Sequence, residues 1–368
     1  MRYSQQLLSL CTLVAILSGV YAATAGKDCT GTISSLDDVD SAEECTTIVI
    51  NSFTVPAGST FSLDLADGTA VTMAGDVTFG ELNWDGPLFE IKGDDITFDG
   101  AGHTFDGNGP FYWDGQGING GVTKPDPMMK IEISGTWTDV EVLNSPARVY
   151  SVSNPGPLVM SRLTIDNSAG DAPNSKSDGD AAGHNTDGFD CSTNDLTIED
   201  STIMNQDDCL AINRGTNIVF TGNTCSGGHG ISIGSVSSDV TVSGIVVTNN
   251  NVVDNDQAIR IKTDASASGS TVTNITYSGN TASGLRQFGV LIDQSYPDTL
   301  GTPGNGVKLS DVNFVGSENS FTVNSDAQRV AVNCGSSSCS GTWDWSALSV
   351  SGGDAGDINF DGITGFSQ

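Results

Sequence analysis

Basic residues are scarce in this chain, with 14 lysines and arginines against 45 aspartates and glutamates and a formal net charge of −31. Such an acidic protein repels phosphates, which argues against nucleic acid as its partner. Leucine-rich helical periodicity is nearly absent, and no low-complexity linker divides the chain. Beyond the N-terminal region, no apolar run approaches the roughly 20 residues that a membrane-spanning helix needs. These absences argue against a helical bundle and a membrane protein.

The N-terminal residues have the pattern of a secretory signal peptide. Arg2 is followed by an apolar run, Leu7–Val20, and then by small residues that end at Ala25. We expect residues 1–25 to be this signal peptide, with cleavage after Ala22 or Ala25. The protein is therefore expected to be soluble, secreted and extracellular.

Short β-branched segments recur at nearly constant intervals along the chain. Leu196, Ile218 and Val240 each begin one such segment, 22 residues apart (218 − 196 and 240 − 218). Leu210 and Ile231 begin two more in a second register, 21 apart (231 − 210). Each period therefore contains about three short strands, separated by bends rich in Asn, Gly, Ser and Asp. This pattern predicts an all-β fold, a parallel β-helix in which apolar side chains stack from turn to turn.

A β-sandwich is the alternative fold, but sandwich strands are not expected to repeat their registers so regularly. Residues 26–368 are expected to form a single β-helix domain. Residues 34–46 are the best helical candidate, and we expect them to cap the first turn, because an open solenoid end leaves unpaired strand edges.

Seven of the eight cysteines follow the signal peptide, and a secreted protein folds where disulfides form. Seven is an odd number, and Cys191 is expected to stay a buried free thiol. Asn274 begins the only glycosylation sequon, Asn-Ile-Thr, which suggests an exposed bend. The expected disulfides are Cys29–Cys45, Cys209–Cys225 and Cys334–Cys339.

Charged motifs recur with the same period as the strands. Asp187 and Asp208 are 21 residues apart (208 − 187), and Asp207 and His229 are 22 apart (229 − 207). One turn of a solenoid would therefore stack them, with a bend or bulge to expose two consecutive aspartates. Carboxyls so close raise the pKa of one of them, which provides an acid and a base for glycoside hydrolysis. The alternative, that Asp207-Asp208 is an ordinary solvent-exposed turn, does not explain why Asp187 and His229 are spaced to stack beside it.

A local cationic spot follows after a longer gap. Arg260 and Lys262 are two residues apart, so a strand would project both side chains from one face. On an otherwise acidic protein, such a pair suits a ligand that carries carboxylates.

Taken in order, these motifs resemble the four motifs of the polygalacturonases, glycoside hydrolase family 28. The resemblance covers nearly all of the mature chain and is strongest to secreted endopolygalacturonases of fungi or oomycetes. In one departure, this chain lacks the further cysteine pair that fungal members typically carry near the C-terminus. The matching motifs are Asn185-Thr186-Asp187, Gln206-Asp207-Asp208, Gly228-His229-Gly230 and Arg260-Ile261-Lys262.

The resemblance implies a right-handed parallel β-helix that hydrolyses α-1,4-galacturonosyl linkages of pectin or polygalacturonate with inversion. It implies that Asp207 is the general acid, that Asp187 and Asp208 activate the water, and that His229 assists them. It also implies a substrate-binding set. That set comprises Asn185, Arg260, Lys262 and Tyr296.

Several alternatives remain open from the sequence. Another pectin hydrolase of the same family, an exopolygalacturonase or a rhamnogalacturonan or xylogalacturonan hydrolase, would use similar motifs. A calcium-dependent pectate lyase would use clustered aspartates for the metal. A non-catalytic binder would not need both the paired aspartates and His229.

Endo action is favoured because the chain is short and has no large insertion. We expect a monomer without cofactor or metal, with host inhibitor proteins as further candidate partners.

Overall fold

A computed structural model describes residues 26–368, and the expected signal peptide, residues 1–25, lies outside the described residues. Among the described residues, 29 strands join in one sheet and two more form a small second sheet. Strands one turn apart pair in parallel throughout. For example, the strand Phe189–Ser192 pairs with Asp208–Thr221, which in turn pairs with Gly230–Val236. This is the parallel β-helix that the sequence predicts.

The strands are β1 Lys27–Ile33, β2 Cys45–Ile50, β3 Phe53–Val55, β4 Phe61–Asp64, β5 Ala70–Met73, β6 Val77–Phe79, β7 Phe89–Asp99, β8 Thr104–Asp106, β9 Met129–Thr138, β10 Glu141–Leu143, β11 Tyr150–Val152, β12 Leu158–Ser161, β13 Thr164–Asp166, β14 Phe189–Ser192, β15 Leu196–Glu199, β16 Thr202–Met204, β17 Asp208–Thr221, β18 Thr224–Ser226, β19 Gly230–Val236, β20 Thr241–Thr248, β21 Asn251–Val253, β22 Gln257–Asp264, β23 Ser268–Ser278, β24 Thr281–Leu285, β25 Phe288–Tyr296, β26 Gly306–Phe314, β27 Asn319–Asn333, β28 Cys339–Ser340, β29 Trp343–Asp344, β30 Leu348–Asp354 and β31 Ile363–Thr364. The helices are α1 Val39–Ala42 and α2 Gly109–Tyr112, with 3-10 turns at Leu36–Asp38, Gly117–Asn119 and Ser168–Gly170.

The predicted registers hold over two turns and fail at the third. Leu196 pairs with Ile218, and Leu210 pairs with Ile231, as expected. However, Ile218 pairs with Ile245 rather than with Val240, so this turn is 27 residues long (245 − 218). The prediction for Val240 was wrong because β19 and the bend after it are longer than the equivalent stretch of the preceding turn. Val240 precedes β20 and is only partly buried.

Inward side chains form apolar columns along the axis. One column lies on the strands that carry the charged motifs, and each of its members is at most 3% exposed. Because every residue in it contacts the turns before and after, the backbone positions of these strands are fixed by burial. The column comprises Phe189, Leu210, Ile231, Ile259, Val290 and Val330.

A buried column of asparagines lies at one of the bends. The Asn250 amide donates to the side-chain oxygen of Asn280 at 2.9 Å, and the Asn280 amide donates to that of Asn319 at 2.8 Å. The backbone amide of Asn223 donates to the Asn250 side chain at 2.9 Å. These side chains satisfy the polar groups that a buried bend leaves open.

The two ends of the solenoid are closed differently. The helix expected over residues 34–46 is shorter than predicted, with a 3-10 turn followed by the single turn of α1, because Cys45 already belongs to β2. Val39 and Ala42 of α1 are buried against the first strands. At the other end, Trp343 and Trp345 are fully buried, and Trp345 packs against Phe366 with ring centroids 5.8 Å apart.

Three disulfides form in the pairing that the sequence predicts, and Cys191 is a buried free thiol. Asn274 of β23 is exposed. Across residues 26–368, no helix reaches the length and apolarity required to span a bilayer.

Candidate active site

The charged motifs meet on one outer face of the solenoid. Asp187 lies two residues before β14, Asp207 immediately precedes the equivalent strand β17, and His229 immediately precedes β19. Lys262 lies on β22, the next strand in the same row. The face contains a cleft of about 260 Å³. Its lining comprises Ile118, Asn119, Arg148, Asn185, Asp187, Asp190, Asp207, Ala211, Asn213, Gly234, Ser235, Lys262 and Tyr296.

A bulge lies at the start of β17, where the two consecutive aspartates are found. Asp208 pairs with Gly230 and Leu210 with Ile231, so β17 has one extra residue at this point. The Asn205 amide holds the bend by donating to the backbone oxygens of Asp207 and Asp208, each at 3.0 Å. The expected bulge is therefore present, but the prediction that it exposes both aspartates was wrong, because Asp208 is fully buried and does not line the cleft.

The glycines on either side of His229 are required by close packing. A Cβ on Gly228 would lie 2.0 Å from the carbonyl oxygen of Asp207. Gly230 has a φ of +90°, and a Cβ there would lie 2.0 Å from the carbonyl oxygen of Gln257. Only glycine fits at either position, so the Gly-His-Gly motif lets His229 approach Asp207.

Asp208 is the most enclosed carboxylate of the cluster and is fully buried. Its Oδ2 accepts a hydrogen bond from Nζ of Lys262 at 2.6 Å, and its Oδ1 accepts one from Oγ of Ser232 at 2.6 Å. Burial alone would lower the pKa of Lys262, but the charge and hydrogen bond of Asp208, together with the charge of Asp207, outweigh burial and raise it. This pair is a buried salt bridge whose two partners depend on each other.

Asp207 lies between two side-chain donors. Its Oδ1 is 2.9 Å from Nδ1 of His229, and its Oδ2 accepts from the Asn185 amide at 3.1 Å. Burial alone would raise the pKa of Asp207, but the hydrogen bond and charge of His229, with the charge of Lys262, hold it well below its ordinary value. Burial lowers the pKa of His229, but the hydrogen bond and charge of Asp207, together with the charges of Asp208 and Asp256, outweigh burial and raise it. Both pKa shifts favour the charged forms, and therefore favour an ion pair between Asp207 and His229 in the free protein.

The pKa of Asp187 is shifted in the opposite direction from that of Asp207. Asp187 is buried, and burial followed by the negative charge of Asp207 raises its pKa well above the ordinary value. The cluster thus contains carboxyls whose pKa values are driven apart, an arrangement that separates proton donors from acceptors.

Two further charged residues in the cleft were not singled out from the sequence. Burial raises the pKa of Asp190 to about 7, although Arg148 opposes that shift. Arg148 binds Asp126 through two hydrogen bonds of 2.9 and 2.6 Å and lies 3.9 Å from Asp190. Asp190 lies three residues after Asp187, and its position in β14, where alternate residues face outward, was the available signal. No sequence signal pointed to Arg148.

The expected substrate-binding residues fall into two groups. Asn185, Lys262 and Tyr296 line the cleft, with Nζ of Lys262 5.4 Å from the centre of the Tyr296 ring. Arg260 is on the same strand and the same side as Lys262 but is not among the lining residues. Its Nε is buried without a hydrogen-bond partner among the described residues. Asn274 lies away from the cleft.

The donor set is poorly suited to a metal ion. Asp207, Asp208 and His229 bring potential ligand atoms within 4.8 Å of one another. However, Lys262 already supplies a positive charge to Asp208, and calcium prefers oxygen ligands to an imidazole. The local chemistry therefore disfavours a calcium-dependent lyase.

Comparisons with known proteins place this chain in a family of glycoside hydrolases. Residues 45–362 match the family described as Glycosyl hydrolases family 28. An endo-polygalacturonase of Sclerotinia sclerotiorum is 44% identical over 332 residues, covering 86% of this chain and 82% of the relative. The solved structure of endopolygalacturonase I from Stereum purpureum, complexed with two galacturonate, is 49% identical with a TM-score of 0.86, covering 90% of this chain and 98% of that one. Endo-xylogalacturonan hydrolase from Aspergillus tubingensis is 26% identical with a TM-score of 0.66, covering 89% and 92%.

Proposed function

The chain belongs to glycosyl hydrolases family 28, and on that premise we propose that it is an endopolygalacturonase. Its reaction is the hydrolysis of α-1,4-galacturonosyl linkages in polygalacturonate with inversion of configuration. Relatives named endopolygalacturonase at 44% and 49% identity over most of the chain support this activity. The greater distance to the xylogalacturonan hydrolase, at 26% identity, favours polygalacturonate over the branched polymer.

One observation carries the proposal. Carboxyls of Asp187 and Asp207 line the same cleft as the ammonium of Lys262 and the ring of Tyr296. Hydrolysis of a glycosidic bond requires an acid and a base, and a polyuronate requires positive charge beside them. A purely structural cluster would not need this combination.

We propose that Asp207 is the general acid and that Asp187 and Asp208 hold and activate the water. In the free protein, His229 keeps Asp207 ionised, whereas burial keeps the proton on Asp187. A bound galacturonate chain adds negative charge and excludes water, and both effects raise the pKa of Asp207. Transfer of the Asp187 proton to Asp207 would then leave Asp187 and Asp208 as the carboxylates that polarise the water.

The proposed substrate-binding residues have distinct tasks. Lys262 provides positive charge for a galacturonate carboxylate at the cleft, and Arg260 extends that charge along β22. The face of Tyr296 can pack against a sugar ring. Asn185 fixes the carboxylate of Asp207 through its amide and provides polar surface in the cleft.

We also propose that residues 1–25 are removed on secretion, that Asn274 is glycosylated, and that the enzyme acts as an extracellular monomer. The exposed position of Asn274 and three disulfides in the described chain support secretion. Recognition by host inhibitor proteins stays a prediction.

The decisive experiment is incubation with polygalacturonic acid, with and without a chelator. We expect new reducing ends in both conditions and no ultraviolet absorbance from unsaturated products. Oligomers of intermediate length should appear early, because endo action cuts within the chain. Chelator-sensitive formation of unsaturated products would identify a lyase instead, and binding without cleavage would identify a non-catalytic protein.

A further inference from the structure

Arg286 connects three successive turns of the solenoid beside the acidic cluster. It lies in the bend between β24 and β25. Its Nη2 donates to the carbonyl oxygens of Gly227 at 2.9 Å and Gly228 at 3.0 Å. Its Nε donates to Oδ1 of Asp256 at 2.8 Å, and its Nη1 contacts the carbonyl oxygen of Asp254. A planar guanidinium with five donors can make all of these contacts at once.

Two of the residues that Arg286 contacts, Gly228 and Asp256, are neighbours of His229. Gly228 is the residue before His229 in the chain. Oδ2 of Asp256 lies 3.7 Å from Nε2 of His229, whereas Nδ1 of the same ring faces Asp207 at 2.9 Å. The side chain of Gln287 donates to the same Oδ2 at 2.7 Å. The imidazole therefore lies between two carboxylates, and the second of them is held by two donors.

We propose that Arg286 is a positioning residue, which acts through Asp256 and the backbone of Gly227-Gly228 to hold the His229 ring against Asp207. It does not line the cleft, and we assign it no contact with the substrate. The kinetic consequence rests on the proposed function, but the positioning itself is a property of the free protein.

The charges around His229 support this arrangement. Burial lowers its pKa, and the carboxylates of Asp207, Asp208 and Asp256 together raise it. The contribution of Asp256 depends on the direction of its carboxylate, which the donors of Arg286 and Gln287 fix. If Asp256 turned away, the ring would lose an anionic neighbour and the restraint on its orientation.

Arg286→Lys tests the geometry at constant charge, because a compact ammonium cannot span Asp256 and two carbonyl oxygens. The matched control is Arg329→Lys, since Arg329 also donates to two consecutive glycine carbonyls, those of Gly352 and Gly353, at 2.8 and 2.7 Å. Arg329 does not line the cleft. His229 can be titrated by NMR, as the chain contains only three histidines.

We expect Arg286→Lys to lower the pKa of His229 towards its ordinary value, whereas Arg329→Lys leaves it unchanged. On polygalacturonate, kcat should fall roughly tenfold with little change in KM, because a small displacement of a catalytic group slows the chemical step. The pH dependence of kcat should move in the same direction as the His229 titration. Thermal midpoints of both variants report on any general loss of stability.

Unchanged His229 titration in Arg286→Lys would overturn the proposal, even if kcat fell. Should that variant fail to fold, Asp256→Asn replaces it, because loss of this carboxylate must also lower the pKa of His229. An unchanged titration in Asp256→Asn would then contradict the proposal. Absence of polygalacturonate hydrolysis by the unmodified protein would remove the proposed function but leave the NMR test intact.

Discussion

The asparagine column and the acidic cluster are two stacks of buried polar side chains on the same solenoid, and they differ in charge. In the column, the Asn250 and Asn280 amides each donate to the next asparagine in the stack. In the cluster, Asp187, Asp207 and Asp208 are also at most 8% exposed, but they repel one another.

This difference in charge indicates that the asparagine column contributes to stability and the acidic cluster to function. A neutral stack that satisfies its own hydrogen bonds stabilises the bends that carry it. Buried like charges destabilise the fold and are retained where their shifted pKa values are useful. An Asp-to-Asn exchange in the cluster should therefore change activity or the pH dependence of stability, whereas an Asn-to-Asp exchange in the column should destabilise the fold.

The largest effect is expected from Asp207→Asn. The amide cannot deliver a proton to the leaving oxygen, so kcat on polygalacturonate should fall by about 1,000-fold or more. The thermal midpoint should fall modestly, because His229 loses the carboxylate that it pairs with, although the other two aspartates lose a repelling neighbour. Near-normal turnover by the folded variant would show that Asp207 is not the acid.

The reverse exchange, Asn250→Asp, should damage the fold. Its amide donates to the carbonyl oxygen of Phe220 at 3.0 Å and to Asn280, so a carboxylate would face two oxygen acceptors. We expect a loss of about 3 kcal/mol in the free energy of unfolding at pH 7, and a smaller loss at pH 4.

Chemical denaturation at the two pH values measures this effect. Asn249→Asp is the matched control, because the adjacent side chain is exposed and should tolerate the same change within about 0.5 kcal/mol. Equal stabilities of the two variants at pH 7 would contradict the role assigned to the column.

The smallest effect is expected from Asp187→Asn, as a change in the pH dependence of stability. The folded-state pKa of Asp187 is raised, so the unmodified protein loses stability as the pH rises above the unfolded value near 4. The variant lacks this loss and should be more stable by about 1 kcal/mol at pH 7, and no more stable below pH 4.

Unfolding curves between pH 3 and 7 test this prediction. Asp200→Asn, at an exposed bend, controls for the loss of one negative charge. A variant at Asp187 that is no more stable than the unmodified protein at pH 7 would argue against burial of an uncompensated carboxyl.

The fold could be predicted in outline because β-branched segments recur wherever a turn buries its strands. Leu210 and Ile231 pair as their spacing predicts, since both turns contain bends of similar length. The register predicted for Val240 was wrong because the length of a turn depends on its bends as well as its strands. A longer bend shifts the next strand along the chain without changing the apolar pattern of that strand. The helix predicted over residues 34–46 is shorter than expected because pairing of β2 with its neighbours outweighs local helical preference.

The residues of the candidate site could be predicted where charged motifs recur at the length of one solenoid turn, and were harder to predict elsewhere. Asp187, Asp207 and His229 lie at bends one turn apart, so their spacing alone brings them together. Arg148 and Arg286 lie outside the recurrent motifs, and their contacts depend on how bends of different turns approach one another.

The sequence by itself determined which residues face inward, which turns stack and which acidic side chains share a face, because these follow from local spacing and the burial of apolar side chains. Only the tertiary structure decided which carboxyl is ionised and which ring nitrogen faces which oxygen. Protonation depends on burial and on charges within a few ångströms, and those distances are set by side chains from several turns at once.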